Sequence, residues 1–204
     1  MRATRAYADL LELEMPVVAT REAAARLGLP RHAAIKTLNR LARDGVILKI
    51  SRGLWALARH IDPLVLPEYL TAPYPSYVSL WSALYRHGMI DQIPREIYVA
   101  SLDRSKRIKT SVGVFVVHHI HPSLFGGVAT HNGVKIATPE KGLFDTVYLA
   151  GTRGRRSMRL PELELPPGFS DDAVLEWVSR ITSRRLRTLV GEHLKGVLSG
   201  ATRE

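Results

Sequence analysis

Seven residues in the first third of the chain have side chains suited to holding a polyanion. Arg31, His32, Lys36, Thr37 and Arg40 recur at helical spacing, and Lys49 and Arg52 follow shortly after. Arginine and lysine pair with phosphates or with guanine O6 and N7, while histidine and threonine are small enough to touch a base edge or a thymine methyl. Two further groups suggest other chemistry. His118, His119 and His121, with His131 nearby, are metal-ligand types, and Glu140, Lys141 and Asp145 make an acid-base-acid group of the kind a metal-dependent nuclease uses.

Spacing weighs against both of those groups. On a strand, His119 and His121 point one way and His118 the other, so two at most share an ion, and zinc wants three or four convergent ligands. Glu140 and Asp145 fall about 140° apart around a helix, too far to hold one ion together. Helix capping and a solvated lysine account for that motif. There is no glycine-rich phosphate loop, nucleophile elbow or HExxH sequence. The residues therefore predict no enzyme, no metal and no cofactor.

The cations of the first third need elements to present them. Residues 4–14 carry Tyr7, Leu10 and Leu11 at helical spacing. Thr20 is the expected N-cap of a second helix through Leu27, which Gly28 ends, and the turn Gly28-Leu29-Pro30 leads into a third helix over residues 31–44. In that helix Ala34, Ile35, Leu38, Leu41 and Ala42 form the apolar stripe, which leaves Arg31, His32, Lys36, Thr37 and Arg40 outward. Residues 46–50 and 54–58 read as two strands around Ser51-Arg52-Gly53, with Arg52 at the tip. Two helices joined by a tight glycine turn, followed at once by a hairpin, predict a winged helix-turn-helix whose third helix enters the DNA major groove. Lys49 and Arg52 then grip the backbone or the adjacent minor groove.

A proline-rich stretch from Asp62-Pro63 to Pro75 separates this region from the rest and suggests a hinge near residues 59–67. Beyond it a helix is expected at residues 79–87, strands at 97–101 and 113–121, and a helix opened by Thr138-Pro139-Glu140-Lys141. Residues 103–109 read as a basic connection and 151–157 as a flexible basic loop. Ser170 and Ser183 are expected to cap two closing helices. Arg180, Arg184, Arg185 and Arg187 form a solvated face around their junction. The expectation is an α+β protein with two domains: residues 1–60 as a winged helix-turn-helix and 61–204 as a small mixed domain ending in helices.

Composition sets the bounds on this reading. The chain has 204 residues, 46% hydrophobic and 24% charged, which suits one large or two small globular domains and excludes wholesale disorder. With no cysteine, disulfides and thiolate metal sites are excluded, and the expected location is the cytoplasm. No apolar run is long enough to span a membrane, and acids near the N-terminus argue against a signal peptide, so no membrane partner is expected. The net charge is +10, and its distribution is uneven. Residues 1–60 hold 11 Lys and Arg against 5 Asp and Glu, whereas residues 61–150 hold 8 against 7. The excess sits where the DNA-reading geometry is expected.

Several segments, taken in order, resemble a known family. They are Arg52-Gly53-Leu54-Trp55-Ala56-Leu57, then Tyr77-Val78-Ser79-Leu80-Trp81-Ser82-Ala83-Leu84 followed by His87-Gly88, then Gln92-Ile93-Pro94 before Ile97-Tyr98-Val99. Last comes Ile136-Ala137-Thr138-Pro139-Glu140-Lys141-Gly142-Leu143-Phe144-Asp145. In this order the chain resembles the AbiEi family of antitoxins and transcriptional regulators from abortive-infection, type IV toxin-antitoxin operons, which serve in phage defence. The resemblance implies an N-terminal winged helix that binds operator DNA, with inverted repeats expected, and represses its own operon. It implies a C-terminal domain that counteracts a nucleotidyltransferase-like toxin without needing a stable complex with it. A stand-alone, ligand-responsive transcriptional regulator is the alternative, and a metal-dependent nuclease a further one.

Overall fold

In the computed structural model, which describes residues 3–152 and 160–203, the chain folds as a mixed α+β protein. It opens with helix α1 (Ala3–Leu11), whose Ala6 and Leu10 are buried while Leu11 lies outward, against expectation. Tyr7 is half-buried and its hydroxyl donates to the Leu57 carbonyl at 3.0 Å. Strand β1 (Val17–Ala19) leads directly into helix α2 (Thr20–Leu27). Thr20 is not the cap but the first helical residue. The cap is Ala19, whose N–H donates to the Glu22 carboxylate at 2.8 Å. Gly28 ends α2 in the left-handed region, at φ 61°, and helix α3 (Arg31–Arg43) follows Pro30.

Strands β2 (Leu48–Ser51) and β3 (Leu54–Ala56) make a hairpin with Arg52 and Gly53 at its tip, Gly53 at φ 85°. Both strands are shorter than the expected runs. Strand β1 joins them antiparallel, giving the order β1-β3-β2. With three residues, β1 carries no alternation by which its sequence could announce a strand. Leu10, Val18, Ala23, Leu38, Leu41 and Trp55 meet in one core that binds the three helices to one face of this sheet.

The other face of the same sheet is buried too. Val17, Ile50 and Ala56 pack with Leu66 and with Val99, Phe115 and Val117 of the following sheet. The proline-rich stretch is therefore not an open linker. After a 3-10 turn at Pro63–Val65 and the short helix α4 (Pro67–Thr71), Leu66 and Thr71 are fully buried.

A six-stranded sheet organises the rest. Its strands are β4 (Ser76–Val78), β5 (Ile97–Ser101), β6 (Lys106–Thr110), β7 (Gly113–His119), β8 (Val128–His131) and β9 (Val134–Ala137), in the order β6-β7-β5-β4-β9-β8. Residues 106–110, expected as part of a basic connection, form an edge strand, and β7 stops at His119 rather than reaching His121. Helices α5 (Leu80–Arg86) and α6 (Pro139–Thr152) follow β4 and β9. Thr138 caps α6 by accepting from the Lys141 N–H at 3.3 Å. Gly151 and Thr152 belong to this helix rather than to a loop, and the Arg-rich residues 153–159 lie outside the described residues.

Helices α7 (Asp171–Ser179) and α8 (Arg184–Ser199) pack on α6, and Ser170 and Ser183 cap them as expected, accepting from Ala173 and Leu186. A two-residue parallel pair, β10 (Glu164–Leu165) with β11 (Thr202–Arg203), ties down the end of α8. Tyr77, Ala100, Ile136, Phe144, Val174 and Val190 belong to this unit's core.

Candidate nucleic-acid interface

Helix α3 turns Ala34, Leu38 and Leu41 inward and leaves Arg31, His32, Lys36 and Arg40 exposed. Thr37 is half-buried and its hydroxyl donates to the Ala33 carbonyl at 3.1 Å, so its proton is used within the helix. Among the described residues, no carboxylate pairs with Arg31, Lys36, Arg43 or Arg52. Their charge projects from the surface without internal neutralisation, the condition under which phosphate neutralisation can drive association.

The hairpin is fixed to the helices by one buried contact. Trp55 of β3 donates its indole Nε1 to the Thr20 hydroxyl of α2 at 2.9 Å. Lys49, opposite Trp55 on β2, rests its ammonium 5.3 Å from the centre of the Trp55 ring. Backbone adds a second tie, as the Thr20 N–H donates to the Gly53 carbonyl at 2.9 Å. Together these align the hairpin with the start of α3: Arg31, His32, Lys49 and Arg52 line one cleft, with Thr20 and Trp55 at its base. Lys36, Thr37 and Arg40 line a neighbouring open surface on the same helix. The seven sequence-derived residues thus fall into two adjoining groups around α3.

Three residues of this surface were missed. Ile35, expected inward, is 37% exposed and lines the Arg31-Arg52 cleft. Asn39 and Arg43 lie beside Lys36 and Arg40. Continuing the spacing from His32 and Lys36 by i+3/i+4 steps reaches both, so the pattern that selected the first residues contained them.

The other charged group has a different character. Lys141, expected as a solvated lysine, is fully buried in α6 together with Asp145, and the two form an ion pair. The second Asp145 oxygen accepts from the Ser79 hydroxyl at 2.7 Å and from the Tyr77 hydroxyl at 3.0 Å. The rings of Tyr77, Phe144 and Trp177 surround the ammonium at 4.7 to 5.6 Å from their centres. Burial pulls the Lys141 ammonium below its ordinary pKa and pushes the Asp145 carboxyl up, with their mutual attraction opposing both shifts. Burial and the neighbouring carboxylate push the Tyr77 phenol up as well. Glu140 is turned elsewhere, accepting from the Ser170 N–H at 3.3 Å.

The histidines are likewise dispersed. His118 is buried against the Tyr98 ring, while His119 is exposed on the opposite face and contacts the Asp103 carbonyl. His121 lies past the strand and caps the turn at Pro122–Leu124, so it does not share a strand face with His119. Among the described residues no three His, Asp or Glu side chains converge on a possible ion. No helix among them is long and apolar enough to cross a membrane.

Comparison with known proteins bears on the first of these sites. Residues 5–58, which contain all seven candidate residues, match the family model described as transcriptional regulator, AbiEi antitoxin. No curated protein matches the chain.

Proposed function

We propose that this chain, whose residues 5–58 fall in the AbiEi antitoxin family of transcriptional regulators, is a non-enzymatic autorepressor and antitoxin. Residues 1–60 act as a winged helix-turn-helix: α3 enters the major groove of operator DNA and the β2-β3 hairpin follows the backbone beside it. Arg31, His32, Lys36, Thr37, Arg40, Lys49 and Arg52 make the contacts. Residues 61–204 counteract a nucleotidyltransferase-like toxin encoded with it. The single observation that carries the DNA reading is the outward row of cations on α3, continued by Lys49 and Arg52 on a hairpin locked to the same helices.

Binding of the duplex upstream of the chain's own coding sequence, followed by fluorescence anisotropy at several salt concentrations, tests it. Affinity is expected to fall steeply with salt. Lys36→Ala should reduce the slope of log K against log salt by about 0.9 if the lysine neutralises one phosphate. Arg40→Ala should weaken binding by about 1–3 kcal/mol if the arginine reads a guanine, and less if it meets only phosphate. Unchanged affinity across Arg31→Ala, Lys36→Ala and Arg40→Ala refutes the reading. Co-expression of the full chain with the neighbouring toxin gene tests the antitoxin half: growth rescue is expected, and it should survive Lys36→Ala and Arg40→Ala, which leave residues 61–204 intact.

A further inference from the structure

Two uncharged side chains on the outward side of α3 lie outside the seven candidates. Ile35 is exposed in the cleft bounded by Arg31, His32, Lys49 and Arg52. Asn39, one helical turn further on, is half-buried beside Lys36, Arg40 and Arg43. Its amide has no hydrogen-bond partner among the described residues. Neither group gains from a phosphate as a cation does: a hydrocarbon has no interaction to offer it, and a neutral amide makes only an ordinary hydrogen bond. Both match base edges in the major groove, where an apolar side chain packs on the thymine methyl and an asparagine bonds adenine N6 and N7 together. Cations flank the pair on both sides, so phosphate contacts made by them would turn Ile35 and Asn39 toward the groove floor.

We propose that Ile35 and Asn39 are the sequence-reading pair of α3, selecting an operator half-site with a thymine for Ile35 and an adenine for Asn39. The proposal rests on the DNA-binding reading above. One turn of helix separates the two side chains by about 6 Å along the axis. Base pairs repeat every 3.4 Å, so the thymine and adenine stand one or two steps apart. Cations that meet phosphate supply affinity that does not depend on sequence, and this pair adds discrimination at the thymine and the adenine.

Base analogues in duplexes selected by the full-length protein from a random pool provide the test. Selected sites should share a thymine and an adenine at that separation. Replacing the thymine by uracil removes only the methyl group, and should weaken the wild-type protein about fourfold, as expected for one buried methyl. It should have no further effect on Ile35→Ala. Replacing the adenine by 7-deaza-adenine removes N7, and should weaken the wild type at least about fivefold while leaving Asn39→Ala unaffected. If the protein binds duplex tightly but wild type and variants respond alike to each analogue, the pair does not read sequence and the proposal fails alone. If no duplex is bound even at low salt, the DNA-binding reading fails with it.

Discussion

Asp145 has both carboxylate oxygens engaged, one by the Lys141 ammonium and one by the hydroxyls of Ser79 and Tyr77. Such a pair holds together α6, β4 and, through Trp177, α7, but its net contribution is small because both charges have left water. Removing one partner is a different matter. Lys141→Met leaves a buried carboxylate without its cation and should destabilise the fold by about 3–5 kcal/mol in urea unfolding. The loss should also depend on pH. Without the lysine only the Ser79 and Tyr77 hydroxyls offset burial, so the folded-state pKa of Asp145 rises further above its ordinary value of 3.8. A raised folded pKa gives stability that is complete below the unfolded value and is lost as pH rises through the folded one. The deficit of Lys141→Met relative to wild type should therefore be smallest near pH 4 and grow toward neutrality. An equal deficit at both ends would mean that Asp145 does not titrate as its burial requires. Sequence spacing placed Lys141 on a helix but assigned it to water, because a helix start usually has a wet face. Here residues 141–147 are all buried, since α6 packs against α5, α7 and α8. The readable signal was the absence of charged residues between Asp145 and Thr152, which leaves the helix without a charged solvent side.

Elements with chemical punctuation were the legible ones. Gly28 ended α2, Pro30 preceded α3, and Thr138, Ser170 and Ser183 capped three later helices, each through a backbone requirement confined to a few residues. The elements missed were short strands, some made by distant partners and some, like β8 and β9 around Asn132-Gly133, by a local turn. Strands β1 and β4 have three residues each, too few for alternation to register, and exist because strands far along the chain, β3 and β5, pair with them. The β6 strand resembled a loop because three of its five residues, Lys106, Arg107 and Lys109, are cations, and charge on an edge strand guards against pairing with another chain. Rotation of α3 was misjudged at Ile35, where apolar character suggested burial and the helix face put it outside. The link between α2 and the hairpin was invisible for the same reason, as nothing local joins Thr20 to Trp55. Thr20→Val should expose its importance. The variant keeps the shape of the side chain but leaves the buried indole N–H without an acceptor, at a cost of about 1–3 kcal/mol. Thermal unfolding measures that cost, and an unchanged midpoint would show that the bond does not hold the hairpin to the helices.

Across the whole molecule, charge and packing divide differently. Most of the charge excess belongs to residues 1–60, which suggests a separate DNA-binding unit, yet the sheet of that unit is buried on both faces. Val17, Ile50 and Ala56 share a core with Phe115 and Val117, and the Ser111 N–H and hydroxyl donate to the Ile50 and Lys49 carbonyls at 3.0 and 2.8 Å. The strand carrying Lys49 is thus held from behind by the six-stranded sheet, which fixes the hairpin against α3 and, under the proposed function, would lower the ordering cost of binding. A shared core also couples stability. Unfolding residues 61–204 would expose the rear face of the N-terminal sheet, so the two regions should melt together rather than in sequence. The three tryptophans report on this directly, with Trp55 in the N-terminal core and Trp81 and Trp177 packed against the core of the larger sheet. Variants retaining only Trp55 or only Trp177 should show the same urea midpoint once each is corrected for its own stability by circular dichroism. Phe115→Ala, expected to cost about 3–5 kcal/mol as a buried aromatic truncation, should lower the Trp55 transition as much as the Trp177 transition. If Trp55 keeps its midpoint while Trp177 loses stability, the N-terminal unit folds by itself and the hairpin owes none of its rigidity to the sheet behind it.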